Sequence, residues 1–280
     1  MISAPEPATR TYVSKLWDPT RWTGFVPRDD DIVVATTPKS GTTWVQAILA
    51  LLVSGDPEVD ASAYTSGTWI DLTFNDLAQM MDGLEARSER RQIKTHTPLD
   101  GIPVWRELRY ITVYRHPIDV HFSFRKHAAN MTNPALAPLF PEDVSEGFRI
   151  FLEGEHMEGG SLWSLVNHYR CTLAREPRET LLRLHYADMQ RDLGAAVARI
   201  AVHVGISHPP ELLAQLVEAA TFDKMKANGD RFAPSAGQGF WHDDAGFFDS
   251  ATSNKWIGRL SEADLAAYDS RMTELLSEAE

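Results

Sequence analysis

Residues 36–44 read TTPKSGTTW and follow DDDIVVA at 29–35 directly. A charged turn, a short apolar run of β-formers and a Gly/Ser/Thr loop carrying one lysine spell a strand that ends in an anion cradle. The next stretch, TTWVQAILALLV at 42–53, is apolar on nearly all faces, as a helix buried against a sheet is. Ser40, Gly41, Thr42 and Thr43 then offer successive backbone N–H groups and hydroxyls at a helix N-terminus, where the dipole favours negative charge. Lys39 adds a point charge whose position the strand fixes. The loop is not spelled as a nucleoside-triphosphate P-loop, GxxxxGK[ST]. Lys39 stands two residues before Gly41, and no glycine stands five residues before that one. Taken without the loop around it, Lys39 also admits a reading as a solvated surface lysine.

Working outward, the pattern of a short β-forming run that ends beside polar, reactive side chains recurs. Residues 92–94 lead into THTP, 110–114 (YITVY) into RHP, and 181–184 (LLRL) into HYADM. Helical spacing at 161–175, 193–204, 211–220 and 262–277 separates or follows these runs. Alternating strand and helix predict an α/β fold with a central parallel β-sheet flanked by helices and a P-loop-like phosphate-binding topology. Ligands of such sheets bind at the carboxyl ends of the strands, where the polar residues fall. Two irregular stretches, 128–143 and 229–253, are rich in Pro, Gly and aromatics and read as loops over a pocket or as plain surface connections. No repeat or linker divides the 280 residues, so a single domain over 1–280 is expected.

Composition narrows the function classes. A formal net charge of −12 argues against a nucleic-acid binder, which needs clustered Lys and Arg. The 43% apolar content with 24% charged residues is that of a soluble globular chain. Cys171 is the one cysteine, so no intrachain disulfide forms; it reads as a small core residue in a reducing compartment. The N-terminal segment has no apolar stretch after a basic start, and no run reaches the roughly 20 apolar residues of a membrane span. A cytoplasmic protein without a membrane partner is expected. There is no HExxH, paired CxxC or clustered ligand set, so no metal is expected.

TTPKSGTTWVQAILALL resembles the 5′-phosphosulfate loop of the cytosolic-type sulfotransferases, whose donor is 3′-phosphoadenosine 5′-phosphosulfate (PAPS) and whose nucleotide product is 3′,5′-adenosine bisphosphate (PAP). Three further segments are similar to elements of that family, in its order. IKTHTPL at 93–99 resembles the strand end bearing the catalytic histidine, and YRHPIDVHFS at 114–123 resembles the 3′-phosphate element. HYADM at 185–189 and TFDKM at 221–225 are similar to segments on the adenine side. The resemblance implies roles residue by residue. Lys39 would meet the oxygen bridging sulfate and 5′-phosphate, and Thr42 and Thr43 the 5′-phosphate. His96 would be the general base and Lys94 a contact of the sulfate oxygens. Arg115 and Ser123 would grip the 3′-phosphate. Trp44, Tyr186, Thr221, Phe222 and Met225 would enclose the adenine.

The chemistry suits these residue types. Imidazole, with an unperturbed pKa near ~6.5, takes a hydroxyl proton at neutral pH, and a lysine stabilises charge developing on a leaving phosphate. Arginine's planar fork matches phosphate oxygens. Other readings stay open: Lys94 as an edge charge, Arg115 paired with Asp119 one turn on, and the aromatic and Met residues as core. If 117–128 is helical, Pro117 sits at an early, tolerated position.

The chain departs from the family at the late segment that closes over the 3′-phosphate. Where the family carries Arg-Lys-Gly, alignment on Trp256 puts Asp249, Ser250 and Ala251, and Lys255 or Arg259 is the alternative cation. The family's dimerisation signature is absent around 257–266, so no dimer is carried over. The leading reading is transfer of a sulfuryl group from PAPS to a hydroxyl of a small-molecule acceptor, a phenol being one option and an amine a weaker one. The alternatives are a P-loop-like kinase or NTPase requiring Mg²⁺, and a non-catalytic nucleotide-binding protein that keeps the fold.

Overall fold

The computed structural model of the chain describes residues 2–12, 14, 16–65, 67–156, 160–175, 179–234, 237–248 and 252–276. Four strands, β1 (Ile32–Ala35), β2 (Gln92–Thr95), β3 (Arg109–Tyr114) and β4 (Leu181–His185), pair in the order β2-β1-β3-β4, all parallel. The helices, in chain order, are α1 (Thr42–Ser54), α2 (Ser62–Thr65), α3 (Leu77–Glu85), α4 (Pro117–Asn130), α5 (Val144–Glu153) and α6 (Leu162–Ala174). They continue with α7 (Tyr186–Arg191), α8 (Leu193–Val204), α9 (Pro210–Ala219), α10 (Phe222–Ala227), α11 (Gly229–Phe232) and α12 (Glu262–Leu275).

β1 is buried along its length, and its side chains alternate between two cores. Ile32 and Val34 join α1, α8 and α9 on one face; Val33 and Ala35 meet Trp22, Phe25, Ile93 and Tyr110 on the other. Burial on both faces is why the strand reads as an unbroken apolar run. A third cluster packs α4, α5 and α6 with α12. At the start of the sheet, Arg91 and Asp31 form a buried bidentate pair, with Nε to Oδ1 at 2.7 Å and Nη2 to Oδ2 at 2.5 Å. It ties the entries of β1 and β2 together.

β2 lies at the sheet's edge, and its outer side is covered. Lys94 N–H donates to Thr68 O at 2.9 Å, and Trp69 bridges Lys94 in parallel. The expected stretches 128–143 and 229–253 are less irregular than their composition suggests. The first includes the end of α4 and a 3₁₀ turn at Pro134–Leu139; the second holds α11 and another 3₁₀ turn at Ala245–Phe247. Pro117 opens α4 at its first turn, where its missing N–H costs nothing. Among the described residues, no helix is long and apolar enough to cross a membrane.

β1 is followed in sequence by β2 on one side of it and by β3 on the other. Connections that leave in opposite directions open a crevice beyond the carboxyl ends of the strands. There the chain places Thr36, His96, Arg115 and Tyr186, each directly after a strand.

Candidate active site

The loop from β1 to α1 turns sharply enough to need two residues with positive φ, Lys39 at 62° and Gly41 at 115°. A left-handed lysine costs of order 1 kcal/mol and persists only if its surroundings hold it. Arg115 Nη1 donates to the Lys39 carbonyl at 3.3 Å, and the Lys39 ammonium donates to His127 Nδ1 at 3.1 Å and lies 4.9 Å from the Phe247 ring centre. Gly41 is the N-cap of α1; a Cβ there would sit 3.1 Å from Tyr186 Cδ2. Inside the loop, the Thr36 and Thr42 hydroxyls share a hydrogen bond at 2.5 Å, and those of Thr37 and Ser40 share one at 2.6 Å. Thr42, Thr43 and Gly41 line a cavity of about 650 Å³, whereas Ser40 is buried behind the loop with its hydroxyl turned to Thr37.

Arg115 leaves the end of β3 and lies over the Tyr186 ring at 4.2 Å. Its Nη2 donates to Thr252 O at 3.1 Å, and its buried Nε has no protein partner. The expected alternative, a pair with Asp119, does not form; Asp119 Oδ1 instead accepts from Lys255 N–H at 3.3 Å. Ser123 follows on α4 and lines the same cavity. Trp44 meets Tyr186 edge-on at 5.5 Å and donates its Nε1–H to Ala220 O at 2.8 Å, which fixes its ring at the wall. Phe222 and Met225 also line the wall; Thr221 lies just off it, its hydroxyl donating to Glu218 O at 2.8 Å.

On the other side of β1 stand Lys94 and His96. His96 Nδ1–H donates to Thr36 O at 2.6 Å. A carbonyl only accepts, so the proton sits on Nδ1 and Nε2 carries the lone pair. Burial, reinforced by the Lys94 cation and opposed by the Thr36 hydrogen bond, holds the imidazole well below its ordinary pKa. His96 is neutral at pH 7, the form that can take a proton. Lys94 lies over the Trp69 ring at 3.8 Å, and burial brings its pKa down to about 8 against the opposing charge of Asp71.

Asp71 is fully buried and was not singled out in the sequence. Its Oδ2 accepts from the hydroxyls of Thr95 at 2.5 Å and Thr97 at 2.8 Å, the two residues flanking His96, and from Trp22 Nε1–H at 3.3 Å. Burial raises its pKa, and these donors work against the rise.

Lys39, Lys94, His96, Arg115, Ser123 and Tyr186 therefore converge on one cavity from four strand ends and from α4. Among the described residues, every charged side chain on its wall is a cation: Lys39, Lys94, Arg115 and Lys255. In a chain of net charge −12 that is a strong local inversion. The far half of the cavity is walled by aromatics, with Phe74 and Phe240 exposed at its edge. His127 and Trp69 on the wall were not expected there, whereas Trp241 and Phe247 belong to the stretch 229–253, expected over a pocket or as a plain surface connection. His127 alone had a local signal, since it follows Ser123 by one helical turn. Of the two alternative cations, Lys255 reaches the cavity; Arg259 lies over Phe122 at 4.6 Å. Asp249, Ser250 and Ala251 lie outside the described residues. Cys171 is buried, and its thiol faces Asn167 at 3.4 Å, away from this wall.

The chain is similar to known proteins over most of its length. The family model described as "Sulfotransferase domain" matches residues 29–280. A glycolipid sulfotransferase of Mycobacterium tuberculosis is 31% identical over 294 residues, covering 94% of this chain and 90% of its own. Cytosolic sulfotransferase 1 of Danio rerio is 31% identical over 215 residues, 73% of this chain and 69% of its own. Among solved structures, mouse sulfotransferase SULT7A1 complexed with PAP superposes with a TM-score of 0.73 at 20% identity, covering 99% of this chain and 96% of its own. Retinol dehydratase in complex with retinol and PAP follows at 0.72 and 22% identity, covering 90% and 83%. At these identities, the two structures speak to the fold.

Proposed function

The chain belongs to the sulfotransferase family, and on that premise we propose that it transfers a sulfuryl group from PAPS to a hydroxyl of an uncharged small molecule. The observation that carries this reading is the convergence of Lys39, Lys94, Arg115 and Lys255 on one wall with no carboxylate among the described lining residues. A donor bearing a 5′-phosphosulfate and a 3′-phosphate is polyanionic at both ends, and four cations suit it. The residues present fit it: Gly41 lines the cavity at the head of α1, and the buried Arg115 Nε still lacks a protein partner.

In this reading, the loop N–H groups from Ser40 to Thr43 hold the 5′-phosphate. Arg115, Ser123 and Lys255 hold the 3′-phosphate, while Trp44, Tyr186, Thr221, Phe222 and Met225 bound the adenine. His96 Nε2 takes the hydroxyl proton as the acceptor oxygen bonds to sulfur. The bond from sulfur to the bridging oxygen breaks, that oxygen keeps the electron pair, and Lys39 stabilises its charge. Lys94 neutralises the sulfuryl oxygens. The products are a sulfate ester and PAP, and the proton ends on His96. No covalent bond to the protein forms, so rate comes from orientation and placed charge.

An ammonium acceptor would find no carboxylate to pair with among the described residues of this wall, which favours a hydroxyl over an amine. The aromatic half of the cavity and the glycolipid named for the mycobacterial relative support an acceptor with an apolar body. We place the enzyme in the cytoplasm, consistent with its single free thiol, as one domain over 1–280 with no nucleic-acid partner. The test is transfer of label from [³⁵S]PAPS to a phenol such as 2-naphthol, beside titrations with PAP and with ATP plus Mg²⁺. Labelled ester formed by wild type and lost in His96→Ala supports the proposal. Tighter binding of Mg·ATP than of PAP would sink it in favour of a kinase.

A further inference from the structure

We propose that His127 is the positioning residue of Lys39: its neutral imidazole receives the lysine ammonium and holds it over the cavity for the leaving-group oxygen. The inference rests on the donor reading given above for Lys39. An ammonium only donates, so the His127 Nδ1 that stands 3.1 Å from Lys39 Nζ must be the bare nitrogen, and the ring proton belongs on Nε2. The two cavity histidines are therefore opposite tautomers. His96 donates from Nδ1 and offers a lone pair; His127 accepts at Nδ1 and keeps an N–H donor.

The surroundings fix the imidazole. It is wedged against Trp241 at 4.8 Å, Phe124 at 5.9 Å and Phe247 at 6.0 Å between ring centres. Trp241 is itself anchored by its Nε1–H to Pro234 O at 2.8 Å. Burial and the neighbouring Lys39 and Lys94 cations keep His127 deprotonated, so it does not repel Lys39. The lysine needs such a partner because its backbone is left-handed at φ 62°. Arg115 pins its carbonyl from the donor side, and His127 with Phe247 pins its ammonium from the acceptor side. The late loop that walls the acceptor half of the cavity is thereby connected, through one ring, to the group that stabilises the leaving phosphate.

The experiment has two arms. In ¹⁵N-histidine-labelled wild type, long-range ¹H–¹⁵N spectra at pH 7 should show the His127 proton on Nε2. A proton on Nδ1 overturns the inference. The second arm compares wild type, His127→Phe and His127→Gln, the last keeping a side-chain oxygen that can accept from an ammonium. PAP release from PAPS is followed with 2-naphthol and with water alone as acceptor, and PAP affinity is measured by titration. His127→Phe should lower kcat roughly tenfold or more while PAP affinity stays within about threefold, and His127→Gln should recover most of the rate. An unchanged kcat in His127→Phe, equal losses of rate and PAP affinity, or no recovery in His127→Gln overturns it. If wild type does not bind PAP at all, the donor reading fails first and the catalytic role falls with it; the Nε2–H tautomer would then stand only as a resting contact.

Discussion

Arg115 offers the sharpest test of how the cavity divides its labour. Both Nη groups are already tied to carbonyls, at 3.3 Å to Lys39 and 3.1 Å to Thr252, and the plane is held over Tyr186 at 4.2 Å. The guanidinium is thus ordered before a phosphate meets it, so little rotamer entropy is lost on binding. A charge-assisted hydrogen bond from such a group contributes about 1.5–3 kcal/mol, or roughly a 10- to 150-fold change in Kd. Titration of wild type and Arg115→Ala with PAP and with 5′-AMP, which lacks the 3′-phosphate, forms a cycle. PAP should lose about 10- to 150-fold in the variant, whereas 5′-AMP should change by less than about threefold. If both ligands weaken equally, Arg115 acts by holding Lys39 and the 5′-phosphate loop through its bond to the Lys39 carbonyl, and the division of the cavity argued here is wrong.

Three further outcomes follow from the same geometry. Lys94, with its pKa brought down to about 8 by burial against the charge of Asp71, is cationic below that pH and neutral above it. The pH profile of kcat/KM should fall on the alkaline side near pH 8, and Lys94→Arg, if active, should not show that limb. Because the neutral form of His96 prevails well below pH 6.5, kcat/KM should lack an acid limb between pH 6 and 7, and His96→Ala should cut kcat about 10²–10⁴-fold. Arg91→Met leaves Asp31 buried without its partner and should cost about 3–5 kcal/mol in denaturant unfolding; a loss under 1 kcal/mol would mean that the pair is dispensable.

The sheet and the Gly/Ser/Thr loop after β1 were legible because both are local. β1 announces itself by four apolar residues followed by a Gly/Ser/Thr loop, and α8 by apolar spacing with Gly205 as a left-handed stop. Arg115 and His96 could be placed at strand ends for the same reason. What the sequence could not yield depends on contacts between distant segments. Asp71 reaches Thr95 and Thr97 across more than 20 residues, and Trp69 meets Lys94 only after the segment folds along β2. Trp241 and Phe247 stand in a stretch that reads as a pocket cover or a plain surface connection, and nothing local says that they close on His127, which follows Ser123 by one turn but gives no sign of its partner Lys39. Ser40 shows the reverse: a hydroxyl in the same loop that turns inward and pairs with Thr37.

The short segment laid along β2 has a bearing on solubility. An open parallel edge is a template on which a second chain can add a strand. Here the Thr68 carbonyl occupies the Lys94 N–H, Trp69 covers the outer side, and Asp71, two residues on, plants a buried carboxylate beneath. The contacts that set Trp69 beside Lys94 and Asp71 beneath Thr95 and Thr97 thus also close this edge to a second strand. Lesions in this segment would cost the cell soluble enzyme as well as turnover.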